Sequence, residues 1–104
     1  MPSAHPRLLT LSPKELLVLE LLLRHQDLYG LQLVATSGGR LKRGTVYVTL
    51  ARMEEKGYVT SKLKAAPSGV GGLPRRIYAA TALGRRMYAA WTSGATELVP
   101  ELGR

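Results

Sequence analysis

At Gly57 the hydrophobic period of this chain changes from helical to two-residue, so the fold must place helices first and a ribbon after them. Upstream, on a wheel stepping about 100° per residue, Val46, Leu50 and Met53 fall on one side of a helix over residues 44–56, which Gly57 ends. Downstream, residues 58–64 alternate as a half-buried strand does, with Val59, Ser61 and Leu63 on one face and Thr60, Lys62 and Lys64 on the other. Residues 65–74 hold Pro67, Gly69, Gly71, Gly72 and Pro74, a loop too long for a tight turn, and residues 75–80 form the returning strand.

Helices flank this unit. Residues 1–11, with Pro2 and Pro6, read as a tail. Ser12 as N-cap, Pro13 at the first helical position and Glu15 three residues on compose a capping box for a helix reaching about His25. Leu16, Leu17, Val18, Leu19, Leu21, Leu22 and Leu23 surround most of its wheel and leave a polar strip at Glu20 and Arg24, more apolar surface than a chain of 104 residues is expected to cover alone. Residues 29–37 predict a short second helix with Leu31, Val34 and Ala35 inward, ended by Gly38 and Gly39. After Thr81, a last helix carries Leu83, Met87, Trp91, Ala95 and Leu98 as an apolar stripe, with Gly94 a candidate kink and the end near Pro100. The expected fold class is mainly α with a small β ribbon: a tail (1–11), a winged helix-turn-helix (12–80), and a C-terminal dimerisation helix with its tail (81–104).

Charge points to the partner. Residues 40–86 carry eleven Lys and Arg against Glu54 and Glu55, a net +9 within a chain whose total is +8. Such a segment matches the footprint of a polyanion, because Lys and Arg on phosphates release condensed counterions. With no cysteine and two histidines, disulfides, thiolate metal sites and a histidine cluster drop out, and no catalytic constellation, metal or cofactor is expected. The longest apolar run, residues 16–23, is far below the ~20 residues a bilayer span needs, so a cytoplasmic protein without membrane association is expected.

These patterns assign roles. Thr45, Val48, Thr49 and Arg52, away from the core stripe of the third helix, are candidates for base edges in the DNA major groove, Arg52 for guanine and Val48 for a thymine methyl. Arg43, Lys62, Lys64, Arg75 and Arg76 are candidates for phosphates, Arg75 and Arg76 also for a narrow minor groove, and Tyr47 either packs on the second helix or gives its hydroxyl to a phosphate. Glu54 and Glu55 are expected to pair with nearby Lys or Arg. Leu83, Met87, Trp91 and Leu98 are the candidate dimer interface, and Trp91 with Met87 also a candidate platform for a planar aromatic effector. A winged-helix protein-interaction module, its basic face on an acidic partner, is the alternative; salt-dependent binding to duplex DNA alone separates the two.

Three linked runs carry a resemblance: Leu28-Tyr29-Gly30-Leu31; Gly44-Thr45-Val46-Tyr47 with Leu50 and residues 53–59; and Gly72-Leu73-Pro74-Arg75-Arg76-Ile77-Tyr78 with Thr81 and Gly84. Across residues 12–92 the chain resembles the PadR family of transcriptional regulators, in particular its smaller members with one C-terminal helix. The resemblance implies a homodimeric winged-helix DNA-binding protein, usually a repressor, that dimerises through that helix, on which some relatives bind aromatic effectors. Lys42 and Arg43 stand where relatives often have Ser-Pro, and Val46 replaces a common Leu, so base preference does not carry over.

Overall fold

A computed structural model describes residues 10–65 and 73–101, of which 94–101 as helical backbone only. The expectations on the tail at Pro2 and Pro6, on the loop tip at Gly69–Gly72 and on the side chains of Ala95 and Leu98 lie outside the described residues. In chain order the elements are α1 (Pro13–His25), β1 (Leu28–Tyr29), α2 (Gly30–Thr36), α3 (Arg43–Lys56), β2 (Val59–Lys64), β3 (Arg75–Ala80) and α4 (Ala82–Glu101).

Helix α1 begins at the capping box. The Ser12 N–H donates to Glu15 Oε1 at 2.9 Å and the Glu15 N–H donates to Ser12 Oγ at 3.1 Å, with Pro13 locked between them. The helix buries Leu17, Val18, Leu19, Leu21 and Leu22 and half-buries Leu16 and Leu23. One chain thus covers more of this wheel than its size suggested, because α2, α3, α4 and β3 all pack on α1. Leu11, placed in the tail by the sequence, joins the same core.

Two expectations are corrected here. The two-stranded ribbon is a three-stranded antiparallel sheet in the order β1-β3-β2, with Leu28 opposite Tyr78 and Tyr29 opposite Ile77. A two-residue strand is too short to show an alternation, so nothing local announced β1. β1 takes Tyr29, so α2 starts one residue later than expected, and the face it turns inward is not the expected one. Leu33 is fully buried, Val34 half-buried, and Leu31 and Ala35 are exposed. Gly38 and Gly39, at φ +67° and +91°, then make the turn, while Ser37 Oγ accepts the Leu41 N–H at 2.9 Å and Leu41 drops into the core.

The register of β2 on β3 keeps the two faces read from the sequence, but the burial expected of one of them fades along the strand. Val59, opposite Ala80, is buried and Ser61, opposite Tyr78, half-buried, whereas Leu63, opposite Arg76, is 61% exposed; Thr60, Lys62 and Lys64 pair with Ala79, Ile77 and Arg75 on the other face. Thr81 Oγ1 caps α4 by accepting the Gly84 N–H at 3.0 Å, and α4 continues through Gly94. Among the described residues, no helix is long and apolar enough to cross a membrane.

Candidate nucleic-acid interface

Helix α3 divides as its wheel predicts. Val46, Leu50 and Met53 are completely buried and hold the helix on the core, each such burial contributing about 1.5–3 kcal/mol. Thr45, Val48, Arg52 and Glu55 stand in an exposed row on the other side, Val48 with 53% of its surface open, and Thr49 is half-buried beside them. Tyr47, Val48, Ala51, Arg52, Glu54 and Glu55 line a shallow open groove along this face.

Tyr47 resolves toward packing. Its ring lies so close over Gly30, the first residue of α2, that a methyl group there would displace it. The hydroxyl makes no hydrogen bond among the described residues, and the side chain stays 48% exposed, so contact with a phosphate remains open to it. Arg43 is exposed in the first turn of α3, whose N-cap Lys42 makes no side-chain cap.

The sheet sorts the remaining cations by face. Lys62, Lys64 and Arg75 share the open face, and Arg75 stacks over the Tyr29 ring at 4.7 Å. Its neighbour Arg76 points the other way and donates to Ser61 Oγ at 3.1 Å, while Ser61 donates to Glu54 Oε2 at 2.8 Å. The expected ion pairs of Glu54 and Glu55 are therefore not formed: Glu54 reaches Arg76 only through a hydroxyl, and Glu55 has no partner among the described residues. Burial raises the pKa of Tyr78, opposite Ser61 on β3, and the Glu54 carboxylate raises it further.

At the C-terminal end of α3, Lys56 Nζ donates to both Glu15 oxygens, at 2.9 and 3.0 Å. Glu15 is 98% buried on α1, and Tyr58, wholly buried, donates its hydroxyl to the Thr10 carbonyl at 3.0 Å with Lys56 over its ring. Burial raises the Tyr58 pKa, with the Glu15 carboxylate adding to it. One of the eleven cations is thus neutralised internally. On α4, Leu83, Met87 and Tyr88 lean on the chain's own core, whereas Trp91 keeps 42% of its surface exposed. No group of three or more potential metal-ligating side chains occurs among the described residues.

The profile of the transcriptional regulator PadR-like family matches residues 18–90. The chain belongs to that family. PadR-like proteins are transcriptional regulators rather than enzymes. No curated protein matches by sequence. A PadR family transcriptional regulator from Eggerthella lenta DSM 2243 is 27% identical with a TM-score of 0.66, over 85% of this chain and 76% of that one. A PadR family regulator from Clostridium difficile R20291 is 24% identical, TM-score 0.67, over 85% and 92% of the two chains. Bacillus subtilis PadR, solved in complex with operator DNA, is 20% identical with a TM-score of 0.64, over 74% of this chain and 45% of that one. At these identities the last two show the winged-helix fold.

Sequence reading missed three features of this PadR-like chain: β1, the Glu15–Lys56 pair and the Glu54–Ser61–Arg76 chain. Both members of the pair already had a local explanation, Glu15 in its capping box and Lys56 in the last turn of a helix, where a cation suits the dipole. They lie 41 residues apart, and nothing local to either joins them.

Proposed function

We propose that this chain is a sequence-specific regulator that binds double-stranded DNA as a homodimer and represses transcription, with α3 as its recognition helix. The exposed row Thr45, Val48 and Arg52, set in a segment of net charge +9, carries the reading. A helix about 20 Å long fits the width of the major groove, where Arg52 suits guanine O6 and N7, Val48 a thymine methyl, and Thr45 and Thr49 either base edge. Arg43, Lys62, Lys64, Arg75, Arg76 and the Tyr47 hydroxyl supply phosphate contacts, which fix register without reading sequence. The likeness to Bacillus subtilis PadR, a structure that includes operator DNA, supports this assignment. A cytoplasmic location, with the DNA, follows from it.

Selecting bound duplexes from a random-sequence pool tests the proposal and yields the half-site. On the selected duplex, Arg52→Ala should lose about 1–3 kcal/mol of discrimination at one base pair. Changing Lys62 and Lys64 to Ala should instead weaken all duplexes alike and lower the salt slope by about one unit per lysine. The assignment of roles is wrong if the lysine variant changes the preferred sequence and the Arg52 variant does not.

For the dimer, α4 is the expected joint, with Trp91 as its exposed anchor, Leu83 and Met87 supporting it from the core side, and Leu98 continuing the stripe. Trp91→Glu should give a folded monomer in light scattering, because the indole is not part of the core; Leu83→Glu would strike the chain's own core instead. A monomeric unmodified protein at micromolar concentration would overturn the dimer. Trp91 with Met87 beside it is also the place for a planar aromatic effector, which must bind the DNA-free arrangement more tightly to act. Quenching of the single tryptophan, accompanied by a fall in operator affinity, is its signature.

A further inference from the structure

Two kinds of contact hold α3, and they differ in what they can specify. The stripe Val46, Leu50 and Met53 fixes which side of α3 meets the core, but apolar contact is non-directional and leaves the finer rotation and axial position of the helix to directional contacts. Directional contacts gather at the C-terminal end. Lys56 Nζ is shared between the two Glu15 oxygens at 2.9 and 3.0 Å and reaches the Thr10 carbonyl at 3.4 Å, where the Tyr58 hydroxyl also donates. Glu15 is itself fixed, because Oε1 accepts the Ser12 N–H and the residue sits in the first turn of α1 with 2% of its surface exposed.

From this geometry we propose that Glu15 and Lys56 are a positioning pair that sets the rotation of α3 on the core, and with it the aim of Thr45, Val48 and Arg52. The proposal rests on the DNA-binding reading and deepens it. A slide of α3 by one residue would turn its faces by about 100° and move Lys56 about 1.5 Å along the axis, leaving a buried carboxylate without its cation. Setting register is the best-attested use of such pairs, since their net contribution to stability is small against a well-packed apolar replacement. Lys56 belongs by position to the basic segment and by contact to α1, so it takes no phosphate.

The test compares the duplex selected from a random pool with an unrelated duplex, well below the melting temperature of every variant. In Glu15→Leu/Lys56→Met, apolar side chains replace the pair; the ratio of selected to unrelated affinity should fall about tenfold or more, as much as removing one base-reading side chain would do, while unrelated-duplex affinity stays unchanged. Lys56→Arg keeps the pair and should keep the ratio. Should the double variant fail to fold, Glu15→Gln, which preserves the shape and the hydrogen bond to Ser12, is expected to show the same loss. Folded variants with an unchanged ratio would overturn the positioning role. So would a Lys56 variant that weakens both duplexes and lowers the salt slope by about one unit while Glu15→Gln binds normally, since Lys56 would then be a phosphate contact. Absence of any duplex binding by the unmodified chain would overturn the DNA-binding reading itself.

Discussion

Raising monovalent salt from 50 to 200 mM is expected to weaken duplex binding by about 10³-fold or more. On the proposed function each chain brings Arg43, Lys62, Lys64, Arg75 and Arg76 to phosphates, and a dimer would double them. The logarithm of affinity falls by about 0.9 per phosphate neutralised for each unit of log salt, so six to ten contacts reach that loss. Internal pairing reduces the supply only slightly, since Lys56 alone among the cations of residues 40–86 is in an ion pair among the described residues. Arg76 has a larger stake, because turning to a phosphate gives up its hydrogen bond to Ser61, whose hydroxyl stays on Glu54. Affinity measured across a salt series decides the matter, and a flat response would remove the polyanion from the account.

Replacing Gly84 by alanine should cost about 3 kcal/mol or more, the upper end of what overpacking a core does. A methyl group there would run into the Tyr58 carbonyl oxygen and approach Leu19 Cδ2 at 3.1 Å. The oxygen cannot yield, because it is backbone and accepts the Thr81 N–H at 3.0 Å. For a domain of this size the melting temperature should drop by roughly 12 °C or more. Gly44, in the first turn of α3 with open space where its Cβ would stand, is the control, and alanine there should be neutral or slightly stabilising. Thermal unfolding of the two variants side by side checks both. A Gly84 variant as stable as its parent would mean that the contact between α4 and Tyr58 is looser than described.

What the residues announced in advance was what they encode locally. Ser12, Pro13 and Glu15 start α1 by their own hydrogen bonds, Val46, Leu50 and Met53 share a face by the pitch of a helix, and Gly57 ends α3 at φ +85°. The family resemblance rested on the same kind of information, short runs in order. The features that escaped depend on segments distant in sequence. Leu28 and Tyr29 become a strand only because β3 lies beside them, and in the short helix that follows it is the packing of neighbouring elements that makes Leu33 rather than Leu31 the buried residue. Glu54 was expected to find a cation directly; tertiary packing brought it Ser61, with Arg76 behind. In the candidate interface, the exposed row on α3 was legible from the wheel, but which cations are already engaged within the chain was not.

The junction of α3 with α4 has a mechanical consequence. The Thr81 hydroxyl donates to the Gly57 carbonyl at 2.6 Å, the Thr81 N–H donates to the next carbonyl, and Gly84 rests on that same carbonyl. These three contacts tie the end of α3 to the start of α4, so on the proposed function the two would turn together. In the proposed homodimer joined through α4, the distance between the two α3 helices would then follow the crossing angle of the α4 pair, and a change of a few degrees at that crossing would shift both. Half-sites on one face of DNA lie about 34–36 Å apart, one helical turn, and tolerate little error in that spacing. Whatever tilts the α4 pair would therefore act on operator affinity without touching a residue of the DNA-facing surface.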